Sequence, residues 1–224
     1  FFGTGAKYLD YLKKNNINIK NKFNLNKLRT IASTGSPLLH ETFNYVYENI
    51  KKNIHLASIS GGTDIVSCFV IGNASQSVYA GEIQCKGLGM DVDIFDENGN
   101  SLDKKKGELV CRTPFPSKPI YFYNDFNNEK YFEAYFSKYK NIWHHGDYAS
   151  TTEKKGFVIY GRSDATLNAN GVRIGTAELY RVVEKIQNIE ECLAAELNIK
   201  NDTKIILFVK TSKNIPLSDN LKNI

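Results

Sequence analysis

Leu28-Arg29-Thr30-Ile31-Ala32-Ser33-Thr34-Gly35-Ser36-Pro37 joins an apolar run to a cluster of turn formers. Leu28 to Ser33 reads as a buried strand, and the next four residues are a cluster of turn formers that must stop it. Beyond it, Leu39, Phe43, Val46, Tyr47 and Ile50 recur at helical spacing, which predicts a helix over about residues 39–51. Ile54 to Ile59 predicts a second strand, ending in the polar turn Ser60-Gly61-Gly62-Thr63-Asp64. Strand, turn, helix, strand, turn is the rhythm of an α/β layer built on a parallel sheet. Ligands of such sheets collect in the loops at the carboxyl ends of the strands, where both polar turns are expected to sit. Upstream, Ala6 to Lys14 predicts an amphipathic helix with Leu9 and Leu12 on one face.

Composition limits what this layer can belong to. The chain has 224 residues, of which 42% are hydrophobic and 24% charged, so it has enough apolar material to offset the entropy of an ordered chain. Its longest apolar runs, such as Ile205 to Val209, fall far short of the roughly 20 residues that cross a bilayer. The net charge of +5 is spread over short runs such as Lys104-Lys105-Lys106, Lys13-Lys14 and Lys51-Lys52. A nucleic-acid site gathers its charge on one face with aromatics between, so a solvated surface is the expectation and no nucleic-acid partner is assigned. Cys68, Cys85, Cys111 and Cys192 include no Cys-x-x-Cys pair, as expected for reduced thiols of a cytoplasmic protein. The chain starts without Met and shows no signal peptide, which reads as a piece of a longer protein or a processed one.

From residue 64 the pattern changes. Ile65 to Ile71, Val78 to Lys86, Met90 to Phe95 and Glu108 to Arg112 predict strands, with Glu97-Asn98-Gly99-Asn100 as a hairpin signal between two of them. A small antiparallel β subdomain packed beside the α/β layer is expected. Asn127 to Tyr139 predicts an aromatic-rich helix, Trp143-His144-His145-Gly146-Asp147 a turn at a strand end, and Gly156 to Tyr160 a short strand. Gly161 to Gly175 reads as a polar boundary loop. After it come a helix from Thr176 to about Ile186, strands Glu191 to Ile199 and Lys204 to Thr211, and the start of a helix at Leu217 to Ile224. The expected division is 1–163 for the larger domain and 164–224 for the start of a small α+β C-terminal domain.

Four polar segments stand out: Ser33 to Pro37, Ser60 to Asp64, His145 to Asp147 and Gly161 to Gly175. Gly61-Gly62-Thr63-Asp64 offers backbone N–H groups, a hydroxyl and a carboxylate in one turn, which suits a phosphate and its Mg²⁺; the same composition also makes an ordinary turn. Asp147 after a glycine is suited to accept hydrogen bonds from a vicinal diol such as a ribose, or to cap a turn. His144 and His145 point to opposite faces of an extended chain, so no metal site is assigned to the pair. Arg162 and Arg173 could reach phosphates from the boundary loop, or simply face solvent.

Taken together, Thr34 to Pro37, Ser60 to Asp64, His145-Gly146-Asp147 and the long stretch from Gly161 to Glu178 resemble, in order and spacing, the core motifs of the adenylate-forming acyl-CoA synthetase superfamily. Ser58 to Phe69, Gly81 to Met90 and Trp143 to Asp147 are similar to the branch of it that joins acetoacetate to CoA. The resemblance covers essentially the whole chain and corresponds to a middle-to-late segment of a longer enzyme. It implies a cytoplasmic ligase of lipid and fatty acid metabolism that uses ATP, CoA and Mg²⁺ and forms an acyl-adenylate. By the same resemblance Gly35, Ser36 and Pro37 line the adenine. Ser60, Gly61 and Gly62 bind the nucleotide, Thr63 hydrogen-bonds the α-phosphate, and Asp64 helps hold Mg²⁺ where most of the superfamily has Glu; Thr63 and Asp64 are the catalytic residues within the chain. Asp147 clamps the ribose with Arg162 beside it, Asp164 is the hinge, Asn170 and Gly171 lie near the CoA pantetheine, and Arg173 approaches phosphate. Relatives acting on acetate carry Trp at the position of Gly61, so this glycine is expected to leave room for a longer acid.

Three readings stay open: the acetoacetate ligase, a ligase for another short acid, and a non-catalytic ligand-binding module. The family's phosphate loop is expected before Phe1 and its catalytic lysine after Ile224. Residues 1–224 alone are therefore predicted to release no pyrophosphate from ATP with acetoacetate; release above background in a coupled pyrophosphate assay would overturn this.

Overall fold

Phe2–Gly5 (β1), Thr30–Thr34 (β2) and His55–Ser58 (β3) form a parallel sheet in that order, with Phe2 opposite Ile31 and Ser33 opposite Ser58. The computed structural model describes residues 1–169, 172–183, 185–186, 188–199, 202–212, 215–216 and 218. Ala6–Lys14 (α1) crosses from β1 to β2, burying Ala6, Leu9 and Leu12. His40–Tyr45 (α2) crosses from β2 to β3 and widens into a π-helical turn at Val46–Ile50. Leu9, Ile31, Phe43, Val46 and Leu56 close this layer in one apolar cluster. The Lys51 ammonium donates to the carbonyls of Leu25, Asn26 and Leu28, tying the preceding linker to the helix end.

Two antiparallel sheets follow. Ser60–Gly62 (β4), Ser67–Ile71 (β5) and Cys85–Lys86 (β6) form the first. Val92–Phe95 (β7), Gly107–Cys111 (β8), Trp143–Thr151 (β9) and Phe157–Arg162 (β10) form the second, in the order β10-β9-β8-β7. Glu129–Phe136 (α3) packs aromatic side chains against Trp143, which is 2% exposed. Phe69, Phe115, Tyr131, Trp143 and Phe157 belong to the larger apolar cluster. Burying each such ring contributes about 1.5–3 kcal/mol, so this cluster is the main anchor of the antiparallel part.

The chain divides into two compact units, Phe1–Ile159 and Tyr160–Ile224. In the second, Leu167–Ala169 (β11) pairs with Val172–Ile174 (β12), Thr176–Val183 (α4) follows, and Ile189–Ile199 (β13) pairs antiparallel with Asp202–Thr211 (β14). The Gly175 N–H donates to the Glu178 carboxylate at the start of α4. A Cβ on Gly175 would lie 2.5 Å from the Tyr160 carbonyl oxygen, so only glycine fits there.

Several expectations need correction. Trp143 to Asp147 is not a strand-end turn but the first half of the nine-residue β9. Val78 to Lys86 yields only the two residues of β6, because Gly81 takes φ +84° and a turn from Tyr79 to Glu82 breaks the run. The strand expected from Ile65 starts at Ser67, after a turn with Val66 at φ +48°. The stretch from Gly161 to Gly175 is not a loop throughout, since β11 and β12 lie inside it. The helix over 39–51 is α-helical only from His40 to Tyr45. Phe2-Gly3-Thr4-Gly5, not foreseen as a strand, is the edge of the parallel sheet. The helix expected at Leu217 to Ile224 lies outside the described residues apart from Ser218.

One buried charge group tests this packing. Glu108 on β8 is 1% exposed; Lys138 donates to it at 2.7 Å and His144 Nε2 lies 3.0 Å from its other oxygen. Removing a partner from a buried carboxylate is costly, whereas replacing the whole group by apolar residues need not be. Lys138→Met is expected to lower stability by about 2 kcal/mol in urea denaturation, with a smaller loss when Glu108→Leu is added.

Candidate functional site

The site is assembled from the carboxyl ends of β2 and β3. The two strands are parallel and in register, so Thr34-Gly35-Ser36-Pro37 and Ile59 to Asp64 leave the sheet side by side. An N–H···O bond of 2.9 Å from Ile59 to the Ser33 carbonyl extends that pairing to the strand ends. Gly35 adopts φ +81°, a conformation that strains any other residue, while Ser36 and Pro37 are half-buried.

The Gly-rich segment is more ordered than an open turn. Ser60, Gly61 and Gly62 pair with Val70, Cys68 and Ser67 of β5, and only Thr63 to Val66 protrude as a turn, with Thr63 and Asp64 exposed. Phe69 is skipped in this pairing as a bulge, and its side chain is buried. A Cβ on Gly61 would stand 2.1 Å from the Ser67 carbonyl oxygen and 2.6 Å from the Cys68 Cα. A Cβ on Gly62 would stand 3.1 Å from the His145 ring. In this backbone the Cβ direction of Gly61 leads into β5, so the glycine serves close strand approach.

Asp147 arrives from β9. Glu108 faces Tyr148 and Val110 faces His144, so three residues of β9, His145 to Asp147, stand opposite the single residue Leu109. Gly146 at φ +80° allows this bulge. His145 and Asp147 are pushed out of the ladder yet stay 8% and 7% exposed. The Ser60 hydroxyl donates to Asp147 Oδ2 at 2.7 Å. His145 Nε2 lies 3.1 Å from the Gly61 carbonyl oxygen; a carbonyl only accepts, so Nε2 carries the hydrogen. The same nitrogen is 3.8 Å from Asp147 Oδ2. Phe69 packs edge-on against the imidazole at 4.7 Å.

The structure therefore brings Ser60, Gly61, Gly62 and Asp147 together, with Thr63 and Asp64 on the adjoining turn. His145 stands out in the sequence only as part of the His145-Gly146-Asp147 motif, which does not reveal that its ring holds the Gly61 carbonyl. The two-residue spacing to Asp147 was the available signal. Tyr135 was missed as well: its hydroxyl donates to Asp64 Oδ2 across 71 positions of sequence, which no local pattern encodes. Burial pushes the Cys68 and Cys111 thiols up, so neither offers a thiolate nucleophile at neutral pH.

Within the second unit, Asp164 lies in a one-turn 3₁₀ helix, exposed, with Arg162 Nε 3.4 Å from its carboxylate. Arg173 donates to the Thr166 hydroxyl at 2.9 Å and to the Ser163 carbonyl at 3.2 Å, so it ties the Ser163–Thr166 loop to β12. Asn170 and Gly171 lie outside the described residues.

No protein-family model matches the chain. Among curated proteins it is 49% identical over 220 residues to the acetoacetyl-coenzyme A synthetase of Rhizobium meliloti, covering 98% of this chain and 34% of that one. It is 45% identical over 221 residues to the acetoacetyl-CoA synthetase of Gallus gallus, covering 98% and 33%. The chain thus spans about one third of the length of the curated relatives it matches. Among solved structures, the acetoacetyl-CoA synthetase of Streptomyces lividans superposes with a TM-score of 0.87 at 36% identity, over 98% of this chain and 34% of that one. An anthranilate CoA ligase solved with anthranoyl-AMP shares the fold, with a TM-score of 0.77 at 17% identity, over 99% of this chain and 40% of that one. The likeness covers 98% of the chain, and the chain belongs to the adenylate-forming acyl-CoA synthetase family, on its acetoacetyl-CoA synthetase branch.

Proposed function

We propose that the chain is the nucleotide-holding segment of a ligase that makes acetoacetyl-CoA from acetoacetate, ATP and CoA through an acyl-adenylate. The observation that carries this is the 2.7 Å bond from Ser60 to buried Asp147, which locks the Gly-rich segment to the bulged strand. The identity to acetoacetyl-CoA synthetases supports the acid and the thiol.

In the first half-reaction a carboxylate oxygen attacks the α-phosphorus in line, and the bond to pyrophosphate breaks as the new P–O bond forms. Two anions meet, so positioning and charge neutralisation supply most of the catalysis. In this reading Gly35, Ser36 and Pro37 form the adenine face, Asp147 accepts the ribose hydroxyls, and Thr63 donates to the α-phosphate. Ser60 and His145 keep Asp147 and the Gly61 backbone from moving. In the second half-reaction the CoA thiol displaces AMP and the acyl group passes to sulfur. Asp164 is read as the hinge between the two, Asn170 and Gly171 as the pantetheine path, and Arg162 and Arg173 as contacts to the nucleotide.

Mg²⁺ fits the donors present. The Thr63 hydroxyl and Asp64 carboxylate are hard oxygen donors on an exposed turn. Among the described residues no group of three His, Cys, Asp or Glu side chains could hold a metal unaided, which matches a cation shared with substrate phosphates. When bound, it neutralises phosphate charge. Among the described residues no helix is long and apolar enough to cross a membrane. None of the four cysteines is in a disulfide, which supports a cytoplasmic place of action.

The deciding experiment measures AMP formation by the full-length protein with acetoacetate, acetate or butyrate, with and without CoA. CoA-dependent AMP release preferring acetoacetate is expected. Asp147→Asn should raise KM for ATP about tenfold or more through loss of a charge-assisted hydrogen bond. AMP formation from none of the acids by a folded chain would overturn the adenylation reading in favour of a non-catalytic module.

A further inference from the structure

Asp64 stands on an exposed turn, where a lone carboxylate samples several rotamers. Here it is held from outside its own segment. The Tyr135 hydroxyl, near the end of α3, donates to Asp64 Oδ2. The Tyr135 ring lies flat on Trp143, with centroids 3.6 Å apart and planes 15° from parallel. Trp143 is 2% exposed and opens β9, the strand that presents His145 and Asp147. The tyrosine thus touches both halves of the site, by its hydroxyl on one side and its ring face on the other.

We infer that Tyr135 is a positioning residue for Asp64. Its hydroxyl occupies Oδ2 and leaves Oδ1 as the oxygen that meets a hydrated divalent cation on the phosphates. Its stack on Trp143 fixes where the hydroxyl stands relative to the Asp147 strand. This rests on the reading of Asp64 as the carboxylate facing the metal–phosphate group. The packing itself does not need the hydroxyl: Phe122 and Trp143 contact the ring, which phenylalanine would also supply.

The test is a double-mutant cycle in the full-length protein, with Tyr135→Phe, Asp64→Asn and the pair. ATP binding is measured by calorimetry across a MgCl₂ titration, without acid or CoA. Melting temperatures and the split of KM against kcat for ATP are recorded alongside. Tyr135→Phe is expected to raise the Mg²⁺ midpoint for ATP binding about three- to tenfold, the span of one net hydrogen bond, and to shift the melting temperature little. The pair should be no worse than Asp64→Asn alone, because the hydroxyl acts through that carboxylate. Additive losses, or an unchanged midpoint in Tyr135→Phe beside a raised one in Asp64→Asn, would overturn the positioning role and leave Asp64 standing. A lowered melting temperature with an unchanged midpoint would make Tyr135 a packing residue only. An unchanged midpoint in Asp64→Asn would remove the reading of Asp64 and the inference with it.

Discussion

The site depends on the absence of two side chains. Gly61 has the backbone of β5 on one side, 2.1 Å from where a Cβ would stand, and Gly62 has the His145 ring 3.1 Å away on the other. Because neither glycine carries volume, the segment fits between a strand and an imidazole. Ser60 can then reach Asp147, and His145 can hold the Gly61 carbonyl. Any β-carbon at 61 would push β4 off β5, and the pairing of Gly61 with Cys68 would fail first. The Thr63–Val66 turn would lose its anchor as a consequence.

A second constraint is aromatic. Trp143 is stacked by Tyr135 and approached edge-on by Phe115, Tyr131 and Phe136, at centroid distances from 5.4 to 6.2 Å. Phe69 joins the same cluster because the β5 bulge turns it inward, and its ring also meets His145. The core and the site are therefore not separate layers. The rings that supply most of the burial also fix the strand from which Asp147 projects, so a cavity made in the cluster reaches the site through one residue.

Much of this was legible in the sequence, for physical reasons. Leu9 and Leu12, and Phe43, Val46 and Ile50, announce helices because a one-sided apolar face needs a 3.6-residue period. The turns at Gly35 and at Thr63-Asp64 announce themselves by residues that stop strands. What escaped was the edge strand Phe2–Gly5, since two glycines suppress strand propensity that tertiary pairing then overrides. The bulge in β9 escaped too: Gly146 was read as a turn former, correctly for its φ, but a glycine at positive φ serves a bulge as well as a turn. Tyr135 could not be found at all, because a contact between residues 64 and 135 leaves no periodic trace.

That bulge explains why Asp147 sits in a strand and not on a loop. A carboxylate on a loop would be free to turn away, and its ordering would cost free energy when a ligand binds. Two residues flanking a strand bulge keep the ladder on both sides, Val110 with His144 and Glu108 with Tyr148. The backbone is then fixed before any ligand arrives, and the only freedom left to Asp147 is its side chain, which Ser60 restrains. The second unit shows the same economy: Arg173 spends two of its donors on Thr166 and the Ser163 carbonyl, shaping the loop that carries Asp164 from within its own unit. In both places the groups are held before any ligand binds, Asp147 by the ladder and Ser60, the loop of Asp164 by Arg173, which is how a small number of charged groups can be aimed without a large entropic cost.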